Sequence, residues 1–163
     1  MNKKILYLFV ALLLPVLIFL FLKYFGKNQF DIPVYYEKGV EDSLTSKCGA
    51  KIDQPYFVSD SAMASLQWNS GVILVTDVNA IELKATYQSI EEKGFNDLQV
   101  FSLSNFSPPE KLIEFKKCVL FMRKPWNAVL IDKKKRIRGY YKMGDRDEMD
   151  RLEVELKILL KKY

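Results

Sequence analysis

Gly71-Val72-Ile73-Leu74-Val75-Thr76-Asp77-Val78-Asn79-Ala80-Ile81-Glu82 decides the fold. Val72 to Val75 is an unbroken, mostly β-branched apolar run, the pattern of a strand buried on both faces. Asn79 then supplies a helix N-cap, with Glu82 three positions on as the acid of a capping box. Leu83, Tyr87 and Ile90 continue at helical spacing, and Gly94 ends the helix. Downstream, Leu98 to Leu103 reads as a second strand. Ser107-Pro108-Pro109-Glu110 reads as a second capping box, leading a helix through Leu112, Phe115 and Val119. Trp126 to Ile131 is a third strand. Lys133-Lys134-Lys135 turns the chain, and Arg136 to Tyr141 returns as a hairpin partner. Asp145 with Glu148 starts a terminal helix whose stripe is Met149, Leu152, Leu156 and Leu159.

The predicted order is β-α-β-α-β-β-α, an α/β domain with parallel, right-handed first crossovers and a final antiparallel hairpin. That order is the thioredoxin arrangement, and Pro125 stands where that fold carries a cis-proline before its third strand. Upstream, Phe30 to Tyr36 reads as extended, with Pro33 at an edge or outside a sheet. Residues 38–53 read as loop, and Pro55 to Val58 as a short extended piece.

At the N-terminus, Ile5 to Leu22 is an 18-residue run without charge, broken only by Pro15. As a helix it would extend about 27 Å, close to the thickness of a bilayer core. Tyr24 and Phe25 provide an interfacial aromatic pair and Lys23 can snorkel. The run is longer than a secretory h-region and no small-x-small cleavage site follows it, so an uncleaved transmembrane anchor is expected. The expected division is an anchor over 1–25, an extended linker and N-terminal extension over 26–65, and a thioredoxin-like domain over 66–163. The short N-terminal tail places that domain outside the membrane, in a bacterium the periplasm, with the chain a single-pass inner-membrane protein.

Composition narrows the function classes. The 163 residues contain no His and two Cys. Histidine-based triads, His-containing zinc sites and Cys-rich zinc modules are thereby excluded. Of 25 basic residues, Lys3, Lys4 and Lys23 flank the anchor; the remaining 22 face 20 acids, so the body is nearly neutral. Nucleic-acid binding gets no support from that balance.

Three stretches carry a family resemblance: Trp68 to Val75, Ser107 to Leu112, and Ala128 to Lys133 with Arg138 to Tyr141. Together with the single anchor and the topology, they make the chain resemble the Sco/SenC family of thioredoxin-like proteins. Members of that family deliver copper to, or reduce, the dinuclear copper site of cytochrome oxidase, using a Cys-x-x-x-Cys motif at the first helix and a His near the last strand pair. Soft thiolates and imidazole suit that metal. Here the corresponding turn, Thr76 to Leu83, holds no Cys, so no metal ligand of the family carries over and low-pKa thiolate chemistry at that helix start is lost. The resemblance therefore implies a non-enzymatic accessory or structural subunit of a membrane assembly, a respiratory cytochrome oxidase or its assembly machinery. No cofactor and no small-molecule substrate are expected; the partners are the membrane and other membrane-protein subunits. The alternative is a copper-delivery or thiol-redox accessory protein using Cys48 and Cys118.

For Cys48 and Cys118 three readings stay open: a disulfide pinning the N-terminal segment, a pair of separate thiols, or a redox-active pair. Asp77 and Glu82 could form a two-carboxylate site if they converged in a pocket; capping and helix-dipole stabilisation account for them more simply. Lys133, Lys134, Lys135, Arg136 and Arg138 form the densest basic cluster, an interaction patch for anionic lipid or an acidic partner, or else a solvated hairpin tip. Trp68, Trp126, Tyr140 and Tyr141 read as core or core-edge residues.

Overall fold

A computed structural model of the chain describes residues 3–25, 32–46, 48–49, 52–69, 71–79, 81–82, 84, 88, 94–95 and 97–162. The chain divides into two units, Met1–Asp31 and Ile32–Tyr163.

The first unit is helix α1 (Lys3–Phe25), 23 residues with Pro15 inside. Its side chains are described at 3, 4, 7, 9 and 11–21, all of them exposed, Leu12 at 72% and Phe19 at 65% among them. Among the described residues no helix is long and apolar enough to cross a membrane.

The second unit is built on a four-stranded mixed sheet. Strands β1 (Val72–Thr76), β2 (Leu98–Ser102), β3 (Ala128–Ile131) and β4 (Ile137–Tyr141) lie in the order β2-β1-β3-β4. β1 pairs with β2 in parallel and with β3 antiparallel, Leu74 facing Val100 on one side and Leu130 on the other. β3 and β4 form the expected antiparallel hairpin. The expectation of parallel first crossovers holds only for β1 and β2. β2 ends with Ser102 beside Thr76, and β3 begins with Ala128 on the other side of Thr76, at that same end of the sheet, so it enters antiparallel.

Alternation along the central strands feeds two cores. Ile73, Val75, Val129 and Ile131 point to one face, where Phe115, Phe121, Met63 and Val58 pack. Val72, Leu74, Ala128 and Leu130 point to the other, covered by Leu152, Leu156 and Leu159 of the terminal helix. Both faces being buried explains why β1 and β3 read as unbroken apolar runs.

The remaining helices are α2 (Asp42–Thr45), α3 (Asp60–Ser65), α4 (Leu112–Cys118) and α5 (Arg146–Lys162). α3 is capped by Ser59 and contributes Ala62 and Met63 to the core. Asp145 caps α5, its Oδ1 accepting from the Asp147 N–H. Between β1 and β2, residues 81, 82, 84 and 88 are helical, whereas Leu83, Tyr87 and Ile90, expected on that helix, lie outside the described residues.

Several local expectations are corrected. Ser107 does not cap a helix: Pro109–Lys111 forms a 3-10 turn without a side-chain cap before α4 begins. Tyr35 to Lys38 is a turn rather than extended chain. Its rings are drawn into an aromatic cluster, with Tyr36 5.1 Å from Phe121 and Tyr35 5.2 Å from Tyr140. The boundary at 66 is replaced by one at Ile32, because residues 32–65 supply Ile32, Val40, Val58 and Met63 to the two cores.

Candidate functional site

One end of the sheet opens into a cleft of about 1380 Å³. Its walls come from four places: the turn after β1, helix α4, the segment leading into β3, and α2 from the N-terminal extension.

The turn after β1 is fixed from both sides. Asp77 leaves the strand with its N–H bonded to the Asn127 carbonyl at 2.7 Å, and its carboxylate pairs with Lys116 of α4. Asn79 Oδ1 accepts from the N–H groups of Ile81 (3.0 Å) and Glu82 (2.9 Å), so the N-cap forms as read from the sequence. Asp77 is thus an ion-pair partner in the cleft wall and Glu82 belongs to the capped helix start. Only Asp77 of the two lines the cleft.

Opposite that turn, Arg123 to Asn127 wraps into β3. The Lys124–Pro125 peptide is cis, as the position before the third strand led one to expect. Asn127 is a junction: its N–H reaches Tyr141 O at 3.0 Å and its Oδ1 accepts from the Met143 N–H at 2.6 Å. Trp126, read as core or core-edge, is 36% exposed and borders the cleft together with Ile113, which is 65% exposed.

Cys48 and Cys118 meet in the cleft wall. They form a disulfide with a Cα–Cα distance of 5.4 Å across a sequence separation of 70, and both residues are half-buried. The bond leaves out the reading as two separate thiols; a pinning disulfide and the oxidised form of a redox-active pair both contain it. Arg123 adds a second tie, its Nη2 donating to Ser43 O at 3.2 Å.

The basic cluster does not form the expected patch. Asp132, fully buried at the end of β3, draws two of its members inward. Its Oδ2 lies 2.7 Å from Arg136 Nη2 and 3.3 Å from Arg138 Nη1. Arg138 is 6% exposed and donates to Ile32 O at 2.6 Å. Lys135 pairs with Asp60 and lies 5.9 Å from the Trp68 ring centroid. Lys133 and Lys134 are the two exposed members. Trp68, Tyr140 and Tyr141 pack as read from the sequence: Trp68 against the core, Tyr140 and Tyr141 within it.

Sequence reasoning missed the tyrosine network behind the cleft. Tyr140 OH donates to Leu120 O at 2.7 Å and lies 3.2 Å from Tyr36 OH, and Tyr56 OH donates to Val119 O at 2.7 Å. Burial pushes the Tyr140 and Tyr56 hydroxyls far above the ordinary phenol range. Burial, then the hydrogen bond to Glu155, does the same for Tyr141. The Tyr56 and Tyr140 hydroxyls are structural donors to the chain just after α4, and that of Tyr141 is a donor to Glu155 of α5. The signal available was the clustering of Tyr35, Tyr36 and Tyr56 in one stretch with Tyr140 in a buried strand.

The copper that the Sco/SenC resemblance brings with it does not fit these residues. The two sulfurs are bonded to each other, and the turn after β1 offers a carboxylate already paired with Lys116. Among the described residues no three Cys, Asp or Glu side chains converge on a metal-sized site. Comparison of the chain with models of protein families, with curated proteins and with solved structures finds no match.

Proposed function

We propose that the chain is a membrane-anchored, thioredoxin-like accessory subunit that works by docking within a larger membrane assembly. A respiratory oxidase or its assembly machinery is the partner this reading favours, with the compact unit on the periplasmic side of a bacterial inner membrane. The observation that carries it is the turn after β1. Where a thioredoxin-type carrier of this family places reactive sulfur, this chain has an ion pair, Asp77 with Lys116, and a capping Asn79. A site whose polar groups are already satisfied by the chain itself is fit for shape recognition rather than for electron or metal transfer.

The thioredoxin-like assignment is supported by the strand order β2-β1-β3-β4 and by the closing hairpin and helix. The anchor rests on the sequence: Ile5 to Leu22 is an apolar run without a charged residue. The oxidising side is supported by the disulfide.

The competing reading, copper delivery by Cys48 and Cys118, requires both sulfurs as thiolates, and here they are bonded to each other; thiol-redox work by the pair would start from this oxidised state. Mild detergent extraction of the tagged full chain, followed by identification of co-purifying subunits, tests the proposal. Stoichiometric membrane-protein partners are expected. A chain that purifies alone and binds copper stoichiometrically after reduction would sink it.

A further inference from the structure

The disulfide sits at the mouth of the cleft rather than in the core. Cys118 ends α4, Cys48 follows α2, and both border the open space beside Trp126 and Pro125. On one side of that bond is the sheet domain. On the other is α2, a single helical turn of four residues with no buried side chain. A turn that short has no stability of its own in water. The remaining ties that hold it among the described residues are slight: the 3.2 Å bond from Arg123 to Ser43 O and half-buried Leu44 packed against the core. Ahead of it the chain is fixed at Val40, which is buried in the core, so the stretch that the bond restrains is α2 itself.

We propose that the Cys48–Cys118 bond is a reducible clasp: a thiol–disulfide exchange site that a dithiol opens from the cleft, releasing α2 and widening the cleft. The inference goes beyond docking as such and stands on the geometry of the wall, whatever the partner. A thiolate of the dithiol attacks one of the two sulfurs, forming a mixed disulfide and expelling the other cysteine as a thiolate. The second thiol of the reagent then attacks the mixed disulfide, closes the reagent into its own disulfide and frees the second cysteine. Two electrons pass from the dithiol to the protein, and the two cysteines end as thiols after taking up the two protons the reagent loses. Once the S–S link is gone, the ties left to the one-turn helix among the described residues are Leu44 and the Arg123 bond, with Val40 held in the core just ahead of it. The sheet, fed by two cores that contain neither sulfur, stays folded.

The test uses the full chain in detergent micelles with dithiothreitol as the dithiol. Without denaturant, reduction should expose two alkylatable thiols. Hydrogen exchange at the Leu44, Ser46 and Cys48 amides, each bonded within the α2 turn, should rise at least tenfold to the rate of an unstructured peptide. Amides of β1 and β3 should remain protected at least a hundredfold. The Cys48→Ser/Cys118→Ser double variant should match the reduced protein and no longer respond to the reagent. Three results would overturn the clasp. The bond could yield only in denaturant; α2 exchange could stay unchanged after reduction; or strand protection could collapse along with that of α2, making the bond a staple of the whole unit. None of these outcomes bears on which subunits co-purify, so the clasp and the docking reading can fail separately.

Discussion

Asp132→Ala tests whether the inward turn of the basic cluster carries stability. The Asp132 carboxylate is fully buried and collects five donors: the N–H groups of Lys134 (2.8 Å) and Arg136 (3.0 Å), Arg136 Nε (2.9 Å) and Nη2 (2.7 Å), and Arg138 Nη1 (3.3 Å). Arg136 is part-exposed and can turn its charge to water. Arg138, 7% exposed in its side chain, cannot; after the substitution its charge is left with the Ile32 carbonyl, and its Nε already lacks a partner. Stranding a buried charge costs about 3 kcal/mol or more, and two turn N–H groups that must find water add about 1. The expected loss is therefore about 4 kcal/mol. At an m-value of about 2 kcal/mol/M it lowers the urea midpoint by about 2 M. Arg138→Met removes the charge and keeps the volume, so it should cost only about 1 to 2 kcal/mol. The double variant should be more stable than the sum of the singles implies, by about 2 kcal/mol. Urea unfolding of the full chain in micelles, followed by circular dichroism, gives all four corners of the cycle. A loss below about 1 kcal/mol for Asp132→Ala, or strict additivity, would refute the buried-charge account.

The disulfide closes a 70-residue separation, so the Cys48→Ala/Cys118→Ala variant should lose at most about 4 kcal/mol in the chain-entropy model, less the freedom that α2 regains in the folded state, read as a lowered urea midpoint against the oxidised protein. Gly139→Ala places a Cβ 2.7 Å from Cζ of Tyr141, a buried ring held by its hydroxyl to Glu155; overpacking there should cost about 2 kcal/mol, measured the same way. Tyr56, Tyr140 and Tyr141 keep their protons in the folded state to pH values well above that of a free phenol. Above about pH 10 the unfolded chain releases these protons while the folded chain retains them. Their contribution is thus fully present below pH 10 and is lost as the pH rises, by about 1.4 kcal/mol per unit for each tyrosine. Tyrosinate absorbance should rise together with unfolding, and a tyrosinate signal at constant fold would contradict the burial.

The strands were legible because burial on both faces leaves an unmistakable composition. Val72 to Val75 and Ala128 to Ile131 have no polar residue that water could claim. The hairpin was legible from the lysine turn, and the Asn79 and Asp145 caps from residue type and spacing. α3 was not, because Ser59-Asp60-Ser61-Ala62-Met63-Ala64-Ser65 has weak helix propensity and forms through its Ser59 cap and the burial of Ala62 and Met63. The site was half legible. That the turn after β1 lacks sulfur is plain in the sequence; that Lys116, 39 positions away, neutralises Asp77 is a tertiary fact. The basic cluster misled for a related reason. A run of five cations looks solvated until the one acid beside it, Asp132, is placed at a buried strand end from which it reaches Arg136 and Arg138.

The extension before β1 is what separates this chain from a bare βαβαββα unit, and its path has a physical purpose. β4 is an edge strand, and an uncovered edge is a template for pairing with other chains. Tyr35 N–H bonds to Ile137 O at the start of β4, and Val58 N–H bonds to Lys135 O in the turn just before it. Ile32 enters the core on the α5 side, whereas Val40 and Val58 enter the core on the α4 side, so the extension crosses that edge and seals both faces. Its last free stretch, α2, is then drawn over the cleft by the bond to Cys118. One segment therefore protects the sheet edge through apolar and backbone contacts that a reductant cannot touch, and walls the cleft through a covalent link that it can. Edge protection and access to the cleft are thereby uncoupled, as a domain must be if it is to expose a docking surface without also exposing a strand.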